Sequence, residues 1–217
     1  MGIASSTRTK EAPPAQPSTG LTSTQVALGA GCYWGTEKFV RKDFQKKFPN
    51  SIKRATVGFM SPEAQPRIRN PTYKDVCSGR TGHVEVLLVE LHDPAAHLEE
   101  LIRFFFMFHD PTTPNRQGND RGPQYASWIF CADDDAQMEI ATRVRDELQQ
   151  VVTAGGIPAY HNKHVTTAIA PLREFTPADE NHQRYLEKHP NGYCNHYFRF
   201  QKWPMLATAN ESSGCTK

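Results

Sequence analysis

The chain is predicted to fold as an α+β two-layer sandwich, with helices packed on a mixed sheet around a ferredoxin-like core and an irregular C-terminal tail. Three observations predict it. Apolar stretches of strand length alternate with amphipathic stretches of helix length. The joins between them mix helical crossovers with direct strand-to-strand connections. No internal repeat is apparent. A length of 217 residues suits one such domain with a tail at each end and suffices for a substantial core.

Residues 1–22 are rich in Ser, Thr, Pro and Ala, cannot form a core and read as a flexible tail. The domain is expected over 23–200, with a second tail over 201–217. Thr24-Gln25-Val26-Ala27-Leu28 alternates as a half-buried strand does, so the first strand is placed at 24–30. Trp34, Phe39, Phe44 and Phe48, spaced among charges, place the first helix at 33–47. Further strands are expected at 52–59, 83–91, 125–131 and 164–170, and further helices at 95–108, 133–152 and 177–188. The helix from 133 carries Ile140, Ala141, Val144, Leu148 and Val151 on one face. Thr176 is expected to cap the last helix and Pro177 to open it. After Pro190 the helical pattern ends and the chain is expected to wrap the surface. The loops at 60–72 and 109–124 are long and polar, the kind that often carry function.

Composition excludes several functions. A net charge of +2, with no Lys- or Arg-rich block, argues against nucleic acid. The longest apolar run, Phe104-Phe105-Phe106-Met107-Phe108, is far short of the roughly 20 residues that span a bilayer. The five cysteines, at 32, 77, 131, 194 and 215, form no Cys-x-x-Cys, which disfavours a zinc ribbon and a thioredoxin-type dithiol. Their odd number does not fit a secreted disulfide framework, so a reducing, cytoplasmic location is expected. Met1-Gly2-Ile3-Ala4-Ser5-Ser6 fits the N-myristoylation pattern at Gly2, although one acyl chain gives only marginal, reversible attachment. A weakly membrane-associated form is therefore one alternative. An organellar form, with only Arg8 and Lys10 ahead of the first acid, is another. Of the nine histidines His161 and His164 stand three apart, but no carboxylate and histidine set has ligand spacing, so no metal is expected. His189 and His196 are expected on the surface.

Cys32 stands in Gly29-Ala30-Gly31-Cys32-Tyr33-Trp34-Gly35-Thr36-Glu37, where the first strand gives way to the first helix. Small residues at 29 to 31 permit a tight turn and close backbone approach. A thiol at a helix N-terminus faces unpaired N–H groups and the positive end of the helix dipole, so its pKa is expected to fall. Tyr33 and Trp34 could wall an apolar pocket. On placement alone Cys32 is either a nucleophile or a buried structural cysteine.

Two further segments stand out. Glu85 lies in a strand rich in valine and leucine, on the same side as Leu87. A carboxyl buried there has a raised pKa and suits a proton donor near neutrality. His109-Asp110-Pro111-Thr112 and the stretch from Asn115 to Tyr125 are dense in polar side chains and glycines. They fit a substrate rim and an ordinary turn-rich loop equally well.

Together these segments resemble the peptide methionine sulfoxide reductase A family. The matching strings are Gly31-Cys32-Tyr33-Trp34-Gly35-x-Glu37, Asn70-Pro71-Thr72-Tyr73, Val76-Cys77-Ser78-Gly79-x-Thr81-Gly82-His83-x-Glu85, His109-Asp110-Pro111-Thr112 and Arg116-Gln117-Gly118-Asn119-Asp120-x-Gly122-x-Gln124-Tyr125. Then come His182-Gln183-x-Tyr185-Leu186 and Pro190-Asn191-Gly192-Tyr193-Cys194. The series runs in order through nearly the whole domain.

The resemblance implies reduction of methionine S-sulfoxide, free or in proteins, as repair of oxidative damage. By the same resemblance Cys32 attacks the sulfoxide sulfur, and Glu85 bonds the oxygen and delivers a proton. Tyr73 and Tyr125 donate further hydrogen bonds, and Tyr33 and Trp34 hold the substrate methyl. Asp120 helps order the site, while Glu37 is a support or a substrate contact. Cys32 would become a sulfenic acid. A resolving thiol, which the resemblance places at Cys194, would then form a disulfide that thioredoxin reduces. No bound cofactor is implied, and a monomer is expected. Cys215 either relays the disulfide outward or is an unpaired tail thiol, and Cys77 and Cys131 are expected to be inert core residues.

Three departures from the family pattern matter. Tyr33 stands where Phe is usual, so its extra hydroxyl faces water or a new partner. A glycine-rich turn is replaced by Gly58-Phe59-Met60-Ser61-Pro62-Glu63-Ala64-Gln65-Pro66-Arg67. The glycine-rich tail after Cys194 is replaced by Asn195-His196-Tyr197-Phe198-Arg199-Phe200. Two rival readings remain to be separated. A cysteine hydrolase needs a histidine base beside the thiol, with His83 or His109 the nominees. A noncatalytic binder of methionine-containing or oxidised peptides would be marked by loss of Cys32 or Glu85, and both are present.

Overall fold

The structure, a computed structural model, describes residues 24–132 and 135–204. The chain opens with β1 (Gln25–Ala30) and a helix that runs as α1 (Tyr33–Lys38), a π-helical stretch (Phe39–Phe44) and α2 (Gln45–Lys47). Next come β2 (Ile52–Met60), the short α3 (Tyr73–Cys77), β3 (Val84–Leu91) and α4 (Pro94–Phe108). A small hairpin, β4 (Arg116–Gln117) and β5 (Asp120–Arg121), leads through a 3-10 turn (Pro123–Tyr125) into β6 (Ser127–Cys131). The remaining elements are α5 (Asp135–Thr153), β7 (Ala168–Pro171), β8 (Phe175–Pro177) and α6 (Tyr185–Lys188).

Six strands form one mixed sheet in the order β7-β6-β1-β3-β2-β8. Only β6 and β7 run parallel, and every other neighbour pair is antiparallel. The inner order β6-β1-β3-β2, with helices in the two crossovers, is that of a split βαβ, ferredoxin-like unit. Alternation along the strands separates the two faces. Leu28, Val57, Leu87, Val89 and Ile129 join the helix-side core with Leu101, Phe105 and Phe108 of α4 and Val144 and Leu148 of α5. Ala27, Met60, Val84, Val86 and Phe130 form a smaller cluster with Leu172. Asp93 caps α4 by accepting from the Ala96 N–H at 3.1 Å, with Pro94 following it as the first helical residue. Among the described residues no helix is long and apolar enough to cross a membrane.

Three expectations are corrected. Thr176 and Pro177 do not start a helix: they lie in β8, paired with Phe59 and Gly58. As an edge strand β8 tolerates a proline that lacks an N–H. The helix forms only at Tyr185, after Gln183 has used its side-chain amide as a further strand partner, with Oε1 accepting from Val57 N at 2.9 Å and Nε2 donating to Val57 O at 2.8 Å. The strand expected at 164–170 is confined to Ala168–Pro171, because Thr166 donates its N–H to Pro111 O instead.

The third correction concerns the segment after Pro190, which packs into the body. His196 is buried, Phe198 packs against Phe39 and Phe104, and the Arg199 side chain is 3% exposed. Sequence periodicity carries no trace of this, because an irregular segment has no period to read.

Candidate active site

Cys32 occupies the N-cap position of α1, with φ −57° and ψ 122°. Gly31 before it has φ +85°, a conformation that disfavours any side chain, and a Cβ there would collide with the Gln117 side chain. Gly35 faces the His196 imidazole so closely that a Cβ has no room. The two glycines are therefore steric requirements: one turns the strand into the helix, and the other lets the segment after Cys194 lie against it.

The Cys32 side chain receives a backbone hydrogen bond from Trp34, which favours the thiolate. Burial outweighs it. With Cys32 only 8% exposed, desolvation pushes its pKa above the ordinary thiol value. The expected lowering is thus overturned, and Cys32 rests as a thiol.

Glu85 follows the strand argument. It lies on the helix-side face of β3 with Leu87 and is 2% exposed. Its Oε2 accepts from the Tyr33 N–H at 3.1 Å. Acid and thiol are thereby held together across a single peptide unit. Burial, with a smaller contribution from Asp120, raises the Glu85 pKa from 4.5 to about 8, against the lowering effect of the Tyr33 N–H. The carboxyl is neutral at pH 7 and brings no charge against a thiolate.

The phenols come from two short elements. A capping box holds α3: Asp75 N donates to Thr72 Oγ1 at 3.2 Å, and Thr72 N donates to Asp75 Oδ2 at 2.9 Å. This helix presents Tyr73, which is 38% exposed, and Cys77 one turn later. The Tyr73 hydroxyl is hydrogen-bonded to the Cys77 side chain, and burial raises its pKa. Tyr125 closes the 3-10 turn, and burial followed by Glu85 and Asp120 raises its pKa as well. Cys77 is exposed rather than an inert core residue, whereas Cys131 is buried as expected.

The hairpin β4–β5 supplies Asp120, whose Oδ1 accepts from Tyr193 Oη at 3.0 Å and whose Oδ2 accepts from Asn195 Nδ2 at 2.7 Å. Asn195 Nδ2 also donates to Gln117 O at 2.6 Å, and His196 Nε2 donates to Ala30 O at 2.6 Å. These bonds flank Cys194 on both sides. Cys194 is a half-buried free thiol, close enough to act electrostatically on Cys32. Sequence reasoning missed Asn195 and His196 as site residues and misplaced His196 on the surface. Glu37 is 2% exposed and accepts the Arg184 N–H on Oε2 at 2.8 Å, which ties α1 to the start of α6 and favours its supporting role. Burial raises its pKa to about 7.

Tyr33 is buried against Phe59, and its hydroxyl is 3.1 Å from His182 Nδ1. The extra hydroxyl has therefore found a partner, not water. Trp34 stacks on Tyr185 at 3.8 Å between ring centroids and on His182 at 5.6 Å. Cys215 lies outside the described residues.

The histidines nominated as bases are engaged elsewhere. His83 Nδ1 pairs with Thr81 O, and His109 is bound by Phe105 O and Ser127 Oγ. Among the described residues no histidine is hydrogen-bonded to Cys32, which removes the base that a cysteine hydrolase needs.

A thiol at a strand–helix junction, a neutral carboxyl beside it and a second thiol within electrostatic reach define a thiol-dependent oxidoreductase. The comparisons narrow that class. The family described as peptide methionine sulfoxide reductase matches residues 24–212. The peptide methionine sulfoxide reductase MsrA of Xanthomonas campestris pv. campestris (strain B100) is 42% identical over 172 residues, covering 78% of this chain and 72% of that protein. A probable peptide methionine sulfoxide reductase of Schizosaccharomyces pombe is 38% identical over 176 residues, covering 80% and 95%. Among solved structures, reduced Mxr1 from Saccharomyces cerevisiae superposes with a TM-score of 0.66 at 37% identity, covering 81% of this chain and 92% of that one. Methionine sulfoxide reductase A of Corynebacterium diphtheriae gives 0.63 at 35% identity, covering 81% and 79%. The chain belongs to the peptide methionine sulfoxide reductase family and is a thiol-dependent methionine sulfoxide reductase.

Proposed function

We propose that the chain reduces the S epimer of methionine sulfoxide, free or within proteins, through a sulfenic acid on Cys32. The observation that supports this reading best is Glu85. It is a buried carboxyl, protonated to about pH 8, fixed to the backbone N–H that follows the thiol. The sulfoxide oxygen would accept hydrogen bonds from Glu85, Tyr73 and Tyr125, with Tyr33 and Trp34 against the methyl group. Polarising the S–O bond in this way makes the substrate sulfur electrophilic and offers the Cys32 thiolate a positive partner. Activation of the resting thiol thus comes with the substrate.

Cys32 sulfur bonds to the substrate sulfur, Glu85 protonates the oxygen, and the oxygen passes to Cys32 as methionine leaves. The sum is sulfoxide plus thiol giving thioether plus sulfenic acid. Cys194 then attacks Cys32, releasing water and forming a disulfide. External thioredoxin, or another dithiol, opens this disulfide by exchange and is itself oxidised. Asp120 orders the Cys194 segment in this scheme, and Cys215 is a candidate for relaying the disulfide outward. No bound cofactor enters the scheme.

Separated S and R sulfoxides, each given for one turnover with mass spectrometry of the enzyme afterwards, test the reading. The expected result is methionine from the S epimer alone, with Cys32 and Cys194 joined. Turnover of the R epimer, or a product enzyme with Cys32 unmodified, overturns it.

A further inference from the structure

We propose that the Tyr33 hydroxyl is a positioning group for the sulfoxide pocket: it donates to His182 Nδ1, fixes that imidazole as the Nε2–H tautomer and holds it against Trp34 and Tyr73. The inference rests on reading the Cys32 cleft as the sulfoxide site.

The direction of the bond follows from satisfaction of the groups. Tyr33 is 1% exposed, and burial raises its pKa, so the phenol keeps its proton. That proton needs an acceptor, and His182 Nδ1, at 3.1 Å, is the only partner of the hydroxyl among the described residues. If Nδ1 carried the hydrogen, the buried O–H would be left unpaired. Burial lowers the His182 pKa, so its ring is neutral near pH 7 and Nδ1 has a lone pair to offer. The remaining Nε2–H has no partner among the described residues.

The ring so fixed matters because of what it touches. His182 lies 5.6 Å from Trp34 at an interplanar angle of 22°, and 4.6 Å from Tyr73 at 36°. One imidazole therefore contacts both the aromatic wall and a phenol placed for the sulfoxide oxygen. A phenylalanine at 33 would keep the packing but leave the ring free to choose its tautomer and to rotate.

The test is Tyr33→Phe, read in two ways. Nitrogen NMR of the imidazoles in the wild type is expected to show His182 as a single Nε2–H tautomer, and Tyr33→Phe is expected to move it towards a tautomer mixture. In kinetics, KM for methionine S-sulfoxide is expected to rise about threefold to tenfold, the worth of one hydrogen bond, and by more than the saturating rate falls. In a His182→Leu background the same substitution is expected to have no further effect on KM. An Nδ1–H tautomer in the wild type, or an unchanged tautomer and KM in Tyr33→Phe, overturns the inference. A failure of the underlying reading looks different: the wild type would then turn over without modification of Cys32, whatever the NMR shows.

Discussion

The two thiols of the site are held by different kinds of structure. Cys32 sits where β1 runs into α1, and its acid Glu85 is on the neighbouring strand β3, so both are fixed by backbone hydrogen bonds and a closely packed core. Cys194 belongs to an irregular segment held largely by side chains, with Asp120 on Tyr193 and Asn195, His196 on Ala30 O and Arg199 on Ala159 O, besides one backbone bond from Arg199 N to Met107 O. The first arrangement suits attack on a sulfoxide, where thiol and acid must keep one geometry. In the proposed scheme the second suits a thiol that would approach Cys32 and then offer its disulfide to another protein, because a few side-chain bonds can be exchanged without unfolding the sheet.

The largest expected effects separate these regions. Cys32→Ser is expected to abolish reduction in both single-turnover and steady-state assays, with the thermal unfolding temperature within a few degrees of wild type. Cys194→Ser is expected to leave one stoichiometric turnover intact and to stop recycling by thioredoxin. If steady-state turnover survives in Cys194→Ser, another thiol resolves the sulfenic acid, with Cys215 and the exposed Cys77 as the candidates.

Glu85→Gln comes next and probes the rigid region alone. Loss of the proton donor is expected to slow formation of the sulfenic acid by about 10²–10⁴-fold. The pH dependence has a definite sign. The native carboxyl keeps its proton to about pH 8, against 4.5 ordinarily, so the native state binds more protons than the unfolded chain between those values. Wild-type stability therefore falls as pH rises through that window, and the loss is complete above about pH 8. Glutamine carries no charge and can still accept the Tyr33 N–H. It is expected to flatten this slope and to be more stable than wild type at pH 9, by on the order of 1–3 kcal/mol. Denaturant unfolding at pH 5 and pH 9 reads the difference. Equal slopes in the two proteins would mean that Glu85 ionises normally.

The same division explains what could be read from the chain. Strand alternation exposed Glu85 through its shared face with Leu87, and the small residues at 29 to 31 marked the junction at Cys32. Both are local, periodic signals that packing preserved. The ionisation of Cys32 was not legible, since a helix end is visible in sequence whereas the depth of burial that outweighs it is a tertiary property. Thr176-Pro177 carries the signature of a helix start and equally that of an edge strand, and only the pairing with β2 decides between them. His196 and Asn195 belong to a segment without periodicity and Cys77 to a five-residue helix too short to show one, so no sequence pattern reports what these side chains will touch.

Asn195→Ala gives the smallest effect and the finest test of the comparison. The substitution removes the 2.7 Å bond to the Asp120 carboxylate and the 2.6 Å bond to Gln117 O, while His196 still holds Ala30 O one residue further on and Tyr193, on the other side of Cys194, still donates to Asp120. Hydrogen bonds to a charged group are worth about 1.5–3 kcal/mol, part of which other contacts of the segment can replace. Disulfide formation is therefore expected to slow by about fivefold to twentyfold, while the first burst of methionine stays within about twofold of wild type. Quenching with a sulfenic-acid trap and counting trapped against disulfide-bonded enzyme separates the two steps. An unchanged rate of disulfide formation would mean that Asn195 does not position Cys194. A faster one would mean that its bonds hold the thiols apart, so that the second region acts as a restraint on resolution rather than a guide to it.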